Sequence, residues 1–108
     1  YKLLAYSGRL EAAEALIDET LERAAEAGGF DADPTRLLAD DARWQAAQGH
    51  NRLYLYSLKA IGFVRLRRGN LDGATSVLDE LARLDPLDQV GGSVVADLAE
   101  RLQMADAA

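Results

Sequence analysis

The sequence predicts an all-α fold. Alanine and leucine dominate the composition and proline occurs only twice. Valine and isoleucine are few and never alternate with polar residues, so a half-buried strand has nothing to form from. Apolar residues recur instead at spacings of three and four, the period of a helix with one buried face. A chain of 108 residues has the size of a single domain and holds about five to six helices of ordinary length.

The first residues, Tyr1 to about Ser7, read as the tail of a helix ending at Gly8. A second helix is expected from Leu10 to Ala27, with Leu10, Ala13, Leu16, Ile17, Leu21 and Ala24 on its buried side. Glu11, Glu14, Asp18, Glu22 and Glu26 cover the other side. Gly28-Gly29 ends it, since glycine accepts the left-handed backbone that helix C-termini use. After Phe30-Asp31-Ala32, the pair Asp33-Pro34 signals a helix start, Asp as N-cap and Pro at the first helical position. That helix is expected to reach about Gln48, anchored by Leu37, Leu38, Ala42 and Trp44. Gly49-His50-Asn51 reads as a break.

From about Asn51 to Arg68 runs the most apolar helix. Leu53, Tyr54, Leu55, Tyr56, Leu58, Ile61, Phe63, Val64 and Leu66 surround nearly its whole circumference, so neighbours must sandwich it. Gly69-Asn70 turns the chain into an amphipathic helix, Leu71 to Leu84, with Ala74, Val77, Leu78, Leu81 and Ala82 inside and Asp85-Pro86 as its stop. The last helix starts between Leu87 and Ser93, is capped by Asp88, packs through Val94, Val95, Leu98 and Leu102, and frays over 103–108.

Composition excludes several functions. Without cysteine there are no disulfides or thiolate metal sites, which accords with a reducing, cytoplasmic location. No apolar stretch approaches the ~18 residues of a membrane span. A net charge of −6 argues against nucleic acid or an anionic membrane as partner. The charge is uneven: net −5 over residues 1–50 and net −1 over 51–108, where Lys59, Arg65, Arg67 and Arg68 cluster. The start at Tyr1, without an initiator Met, suggests a fragment of a longer chain.

Two blocks repeat. Gly8-Arg9-Leu10-Glu11-Ala12-Ala13 and Gly69-Asn70-Leu71-Asp72-Gly73-Ala74 share the order Gly, polar, Leu, acid, small, Ala, and Leu16-Ile17 aligns with Val77-Leu78. Each block reads as a tight turn between antiparallel helices. With Leu58, Ile61-Gly62, Ala74, Leu78 and Pro86 at the corresponding places, the chain resembles the tetratricopeptide family. The resemblance covers 55–88 well and 1–28 in part, as a truncated first repeat. It leaves 34–48 as an inserted helix and 88–103 as a closing helix. Arg65 stands where the family has an aromatic. The two glycine turns lie 61 residues apart, not a multiple of the family's ~34-residue period.

The resemblance implies a right-handed stack of antiparallel helix pairs whose first helices line a groove. Tyr56, Lys59, Phe63, Leu66 and Arg67 would then face that groove. Of the Lys and Asn that form the family's peptide-carboxylate clamp, Lys59 matches but Phe63 replaces the Asn. An apolar or amphipathic partner segment is therefore expected, rather than an acidic C-terminal tail. Small family members act as chaperones or assembly factors, for instance in bacterial secretion.

Other residues read more plainly. His50, the only histidine, sits in a turn with no partner for base catalysis. Asp31, Asp33, Asp40 and Asp41 lack the spacing of a calcium loop and read as caps and a solvated face. The Arg65, Arg67, Arg68 cluster suits the negative end of its own helix, with an acidic ligand as the alternative. Phe30 and Trp44 are expected to pack the insert down, and Gly91-Gly92 to permit close helix contact. With no nucleophile motif, metal set or cofactor motif, an enzyme is not expected. The expected partner is another protein or peptide segment, or a second copy of the chain. The apolar surplus of helix 51–68 can be covered by the insert, by a second chain or by a ligand.

Overall fold

The most apolar stretch of the chain becomes its central helix. The computed structural model describes residues 2–107, with side chains from Gly8 to Ala105. Among the described residues five α-helices form an all-α domain: α1 (Lys2–Gly28), α2 (Ala42–Gln45), α3 (Gly49–Arg67), α4 (Leu71–Leu84) and α5 (Gly92–Ala107). A 3-10 turn, Pro34–Arg36, lies between α1 and α2. Tyr1 falls outside the described residues.

The chain departs from the sequence reading in several elements. Gly8 does not break the chain; α1 runs through it as one helix of 27 residues. A single interior glycine costs a helix only about 1 kcal/mol relative to alanine, and no proline or second turn residue follows it. The two Gly-Leu blocks are therefore not structurally equivalent, since only Gly69 (φ +82°) makes a turn. There the amides of Gly69 and Asn70 donate to the carbonyls of Leu66 and Arg65, the glycine-closed helix end that Gly29 also makes on α1.

The single helix expected over 34–48 is broken. Asp33 caps the 3-10 turn through Thr35, Leu37 then turns extended, and Asp41 caps the four-residue α2. Aspartates that bond nearby amides compete with helix continuation, and the carbonyls so freed find a partner elsewhere. Arg83 of α4 donates to the carbonyls of Leu37 (2.8 Å) and Pro34 (2.7 Å). Of the expected anchors Leu37 and Trp44 are buried, whereas Leu38 is 70% exposed and Ala42 lies on the surface. Finally, α5 continues through 103–107 where fraying was expected.

Neighbouring helices alternate in direction around α3. Glu14 meets Arg65 and Arg68 while Gly28 lies beside Asn51, so α1 and α3 are antiparallel. Gly62 lies against Leu78, and the Arg65 guanidinium reaches the carbonyl of Gly73, so α3 and α4 are antiparallel as well. Gly92 against Leu81 and Gln103 against Thr75 fix the same relation for α4 and α5. It follows that α5 runs parallel to α3. At 1.5 Å per residue α1 is ~40 Å long and accounts for the 44 Å long axis; the 19 Å short axis equals about two helix diameters.

Close approach depends on small residues. A methyl at Gly62 would fall 2.7 Å from the Leu78 side chain, and Gly92 is similarly filled by Leu81. Leu21, Ala24 and Ala25 of α1 cover Tyr54, Leu55, Leu58 and Ile61 from one side; Ala74, Leu78 and Leu81 of α4 close another. The irregular segment packs down through an aromatic cluster. Phe30 meets both Trp44 and Tyr54 edge to face at 5.0 and 4.9 Å, and the Tyr54 hydroxyl donates to the Ala32 carbonyl at 2.6 Å. Burial, with Asp33, Asp31 and Glu80 nearby, pushes the Tyr54 phenol well above its ordinary value.

One polar node locks this arrangement. The carboxylate of Asp85, only 4% exposed, accepts from the amides of Gln89 and Val90 and from the Gln89 side chain. Gln89 in turn donates to the Trp44 carbonyl (2.7 Å) and accepts from the Ala47 amide (3.0 Å). The corner after α4 is thereby tied to the irregular segment. Asp85→Ala strands these donors, one of them the buried Val90 amide, and is expected to cost about 2–3 kcal/mol. Urea denaturation checks this; a loss below about 0.5 kcal/mol, the ordinary surface value, would contradict it.

Candidate interaction surface

The nearly all-round apolar character of α3 leaves part of it uncovered. Tyr54, Leu55, Leu58, Ile61, Val64 and Leu66 are buried, while Leu53, Tyr56 and Phe63 stay 45%, 54% and 40% exposed. Tyr56 and Phe63 are seven residues apart and share one side of the helix. Beside Phe63 lies α5, and between the two helices runs a groove of about 330 Å³ bordered by Phe63, Val94, Val95, Asp97, Leu98 and Arg101.

The apolar groove wall on α5 follows from how that helix packs. Gly92, Val95 and Ala99 are buried, and Gly92 abuts Leu81 of α4. A small-residue side allows the closer approach, so the bulkier residues are turned away. Val94 is 70% exposed, Leu98 38% and Leu102 40%. The sequence reading placed all of these inside with Val95; only Val95 is buried. The glycine and alanines at 92, 96 and 99 were the signal that this side, not the larger apolar one, packs most closely.

The five residues expected to face a groove do not all do so. Leu66 is 6% exposed and belongs to the core, where the turn at Gly69 brings α4 back across it. Tyr56 and Phe63 are on the surface. Lys59 holds its ammonium 5.2 Å from the Tyr56 ring centre, and Arg67 its guanidinium 5.9 Å from that of Phe63. Such contacts contribute about 0.5–1 kcal/mol at exposed sites. Arg101, not singled out from the sequence, adds a third cation on the α5 side.

The remaining cations at this end of α3 face elsewhere. Arg65 and Arg68 both pair with Glu14 of α1, at 3.3 and 2.8 Å. This ion pairing between helices, rather than the helix dipole alone, is their role. It leaves Asp18 next to Glu14 and Glu22. Partial burial pushes the Asp18 carboxyl up, those two neighbours add to the rise, and Arg65 opposes it.

The α3–α5 groove begins at a capped corner. Asp88, with φ +57°, accepts from the Ser93 amide (3.0 Å) and hydroxyl (2.6 Å) and so caps the first turn of α5 from upstream. These two bonds, with Lys59 nearby, hold its carboxyl below the ordinary value. Asp31, Asp33 and Asp41 are engaged in turns and caps, and among the described residues no three acids or histidines gather as a metal site. His50 is exposed in the first turn of α3, which starts at Gly49 rather than at a break.

The chain matches no protein-family model, no curated protein and no solved structure. What fold and surface define together, among the described residues, is a five-helix all-α domain with an apolar groove between α3 and α5, bordered by Asp97 and Arg101.

Two outcomes follow. Phe63→Glu should leave the circular dichroism spectrum and melting temperature nearly unchanged, whereas Leu66→Glu buries a charge and should unfold the domain; equal melting of the two variants would contradict the placement. An acid with a lowered folded-state value contributes its stability above its unfolded value and loses it as pH falls through the folded one. The Ser93 amide resonance should therefore titrate with a midpoint below 3.8, the ordinary aspartate value, and a midpoint at or above it would show that the cap is not formed.

Proposed function

We propose that the domain is a protein–protein interaction module, an adaptor or small chaperone, that holds an apolar or amphipathic segment of a partner in the α3–α5 groove. The observation that carries this reading is the row of large apolar side chains left open on two parallel helices: Tyr56 and Phe63 on one, Val94 and Leu98 on the other. Contiguous exposed apolar surface of this kind is what binding grooves use. Aromatic side chains flanked by arginine are the residue types that dominate binding energy at interfaces.

The tetratricopeptide resemblance supports the same reading. In a stack of helix pairs, a first helix is followed by an antiparallel second and then by a parallel first helix of the next pair, which is the order of α3, α4 and α5. Gly62 lies against Leu78, two of the positions that match the family's pattern, and Ala74 is buried on the same helix as Leu78. In this scheme α1 is the second helix of a preceding pair, and residues 30–48 are an insertion before α3. The right-handed pair geometry belongs to the proposal.

The alternative is self-assembly, with the same groove buried against a second copy. Light scattering at ~100 µM, a concentration that reveals micromolar interfaces, separates the two: the module reading expects a monomer, self-assembly a dimer or larger. For the module reading, a pull-down with the full-length protein, analysed by mass spectrometry, should yield a partner that the Phe63→Glu variant loses. Equal recovery by both proteins would place binding elsewhere.

A further inference from the structure

The charges around the groove say more about its occupant. In a chain of net charge −6, α3 carries Arg52, Lys59, Arg65 and Arg67 and not one Asp or Glu. The structure sorts these cations. Arg65 is neutralised by Glu14, together with Arg68, and Arg52 donates to the Gln89 carbonyl. Lys59 and Arg67 make no ion pair among the described residues and instead lie over the exposed rings of Tyr56 and Phe63, of which Phe63 borders the groove. Arg101 borders the groove from α5.

Acid close by is limited. Asp88 is engaged by Ser93. Asp97 borders this groove but also the two hollows on the α4 side of α5. The groove is thus a locally cationic apolar strip on an acidic protein. Lys59, Arg67 and Arg101 outnumber the two acids, Asp88 beside Lys59 and Asp97 in the groove wall, and an excess of cations around an apolar strip favours an anionic occupant over a basic one.

Resting on the reading above that this groove is the binding surface, we propose that the bound segment is an amphipathic helix whose apolar stripe is flanked by carboxylates. The spacing sets its size. From Tyr56 to Arg67 the strip is ~17 Å long at 1.5 Å per residue, about three helical turns. Lys59 and Arg67 lie eight residues apart on α3, about two turns along it and about 80° apart around it, one to each side of the Tyr56–Phe63 row, so they reach carboxylates on the two flanks, with Arg101 adding a cation from α5. Recognition is by side-chain carboxylates along a helix rather than by a terminal carboxylate, since Phe63 fills the middle of the strip.

The test uses the whole chain and three fluorescein-labelled 16-residue helical peptides. All carry leucines at i, i+3, i+4 and i+7, with glutamates, glutamines or lysines on the flanks. Fluorescence anisotropy at ~50 mM salt should rank them glutamate, glutamine, lysine, with at least about tenfold between the extremes. Near 0.5 M salt that spread should shrink. The Lys59→Glu/Arg67→Glu double variant, with its fold checked by circular dichroism, should reverse the order.

Lysine-flanked binding as tight as glutamate-flanked binding, weakened by Phe63→Glu, would overturn the charge preference while the groove stands. Binding of none of the peptides, or binding insensitive to Phe63→Glu, would overturn the groove itself. A Phe63-dependent dimer in light scattering would show that a second copy takes the surface and would also overturn the proposal.

Discussion

The fold depends on burying α3. A helix that is apolar nearly all round cannot rest on a surface with one face out; it has to be wrapped. The order of elements follows from this. α1 covers it along Leu21, Ala24 and Ala25, α4 covers it through Ala74, Leu78 and Leu81, and the irregular segment seals the Tyr54 end with Phe30 and Trp44. α5 arrives last and covers α3 less than α1 or α4 does, because its packing side is made of small residues fitted to α4. The opening beside Phe63 is thus a consequence of how the wrap closes.

Wrapping also dictates where charge goes. A central helix without carboxylates has its cations answered only from other elements, and α1 supplies Glu14 to Arg65 and to Arg68 just beyond the helix end. That carboxylate is the polar counterpart of the apolar α1–α3 contact and sits where the aliphatic part of the interface thins out. Arg83 and the Asp85–Gln89 node perform the same service for the irregular segment, whose carbonyls no helix satisfies. The exception inside this shell is the Trp44 indole N–H, buried without a hydrogen-bond partner. Leaving it so costs about 1–3 kcal/mol, offset by the aromatic contacts that hold the ring.

Much of this was legible in the residues. Glycine at 29 and 69, Asp-Pro at 33–34 and 85–86, and the periodic apolar stripes located α3, α4 and the end of α1. Gly91-Gly92 announced a close helix contact, which Gly92 makes with Leu81. What misled was local evidence without its tertiary context. Gly8 matched Gly69 in sequence yet lacks the neighbours that would turn it, so the repeat looked more regular than it is. Leu16, 64% exposed, was read into the α1 stripe although it lies about 140° around the helix from Leu21. Asp40 and Asp41 hid a chain that leaves helical geometry after Arg36.

The surface was legible in part. Periodicity identified α3 as having more apolar surface than its neighbours need, and the resemblance turned Tyr56, Lys59, Phe63 and Arg67, with Leu66, toward a groove. It could not decide between Leu66 and Phe63, which differ only in where α4 returns. Nor could it assign the α5 wall, because Val94 and Val95 are equivalent as residue types, and only the fit of Gly92 to Leu81 separates them.

The binding role requires the α3–α5 strip to be open in solution while the rest of α3 is sealed. Methyl relaxation by a soluble gadolinium agent reads this directly in dilute protein. Strong enhancement at Val94 and Leu98, with little at Leu55, Leu58 and Ile61, is the predicted result. Shielded Val94 and Leu98 methyls, or enhancement spread along α3, would contradict it.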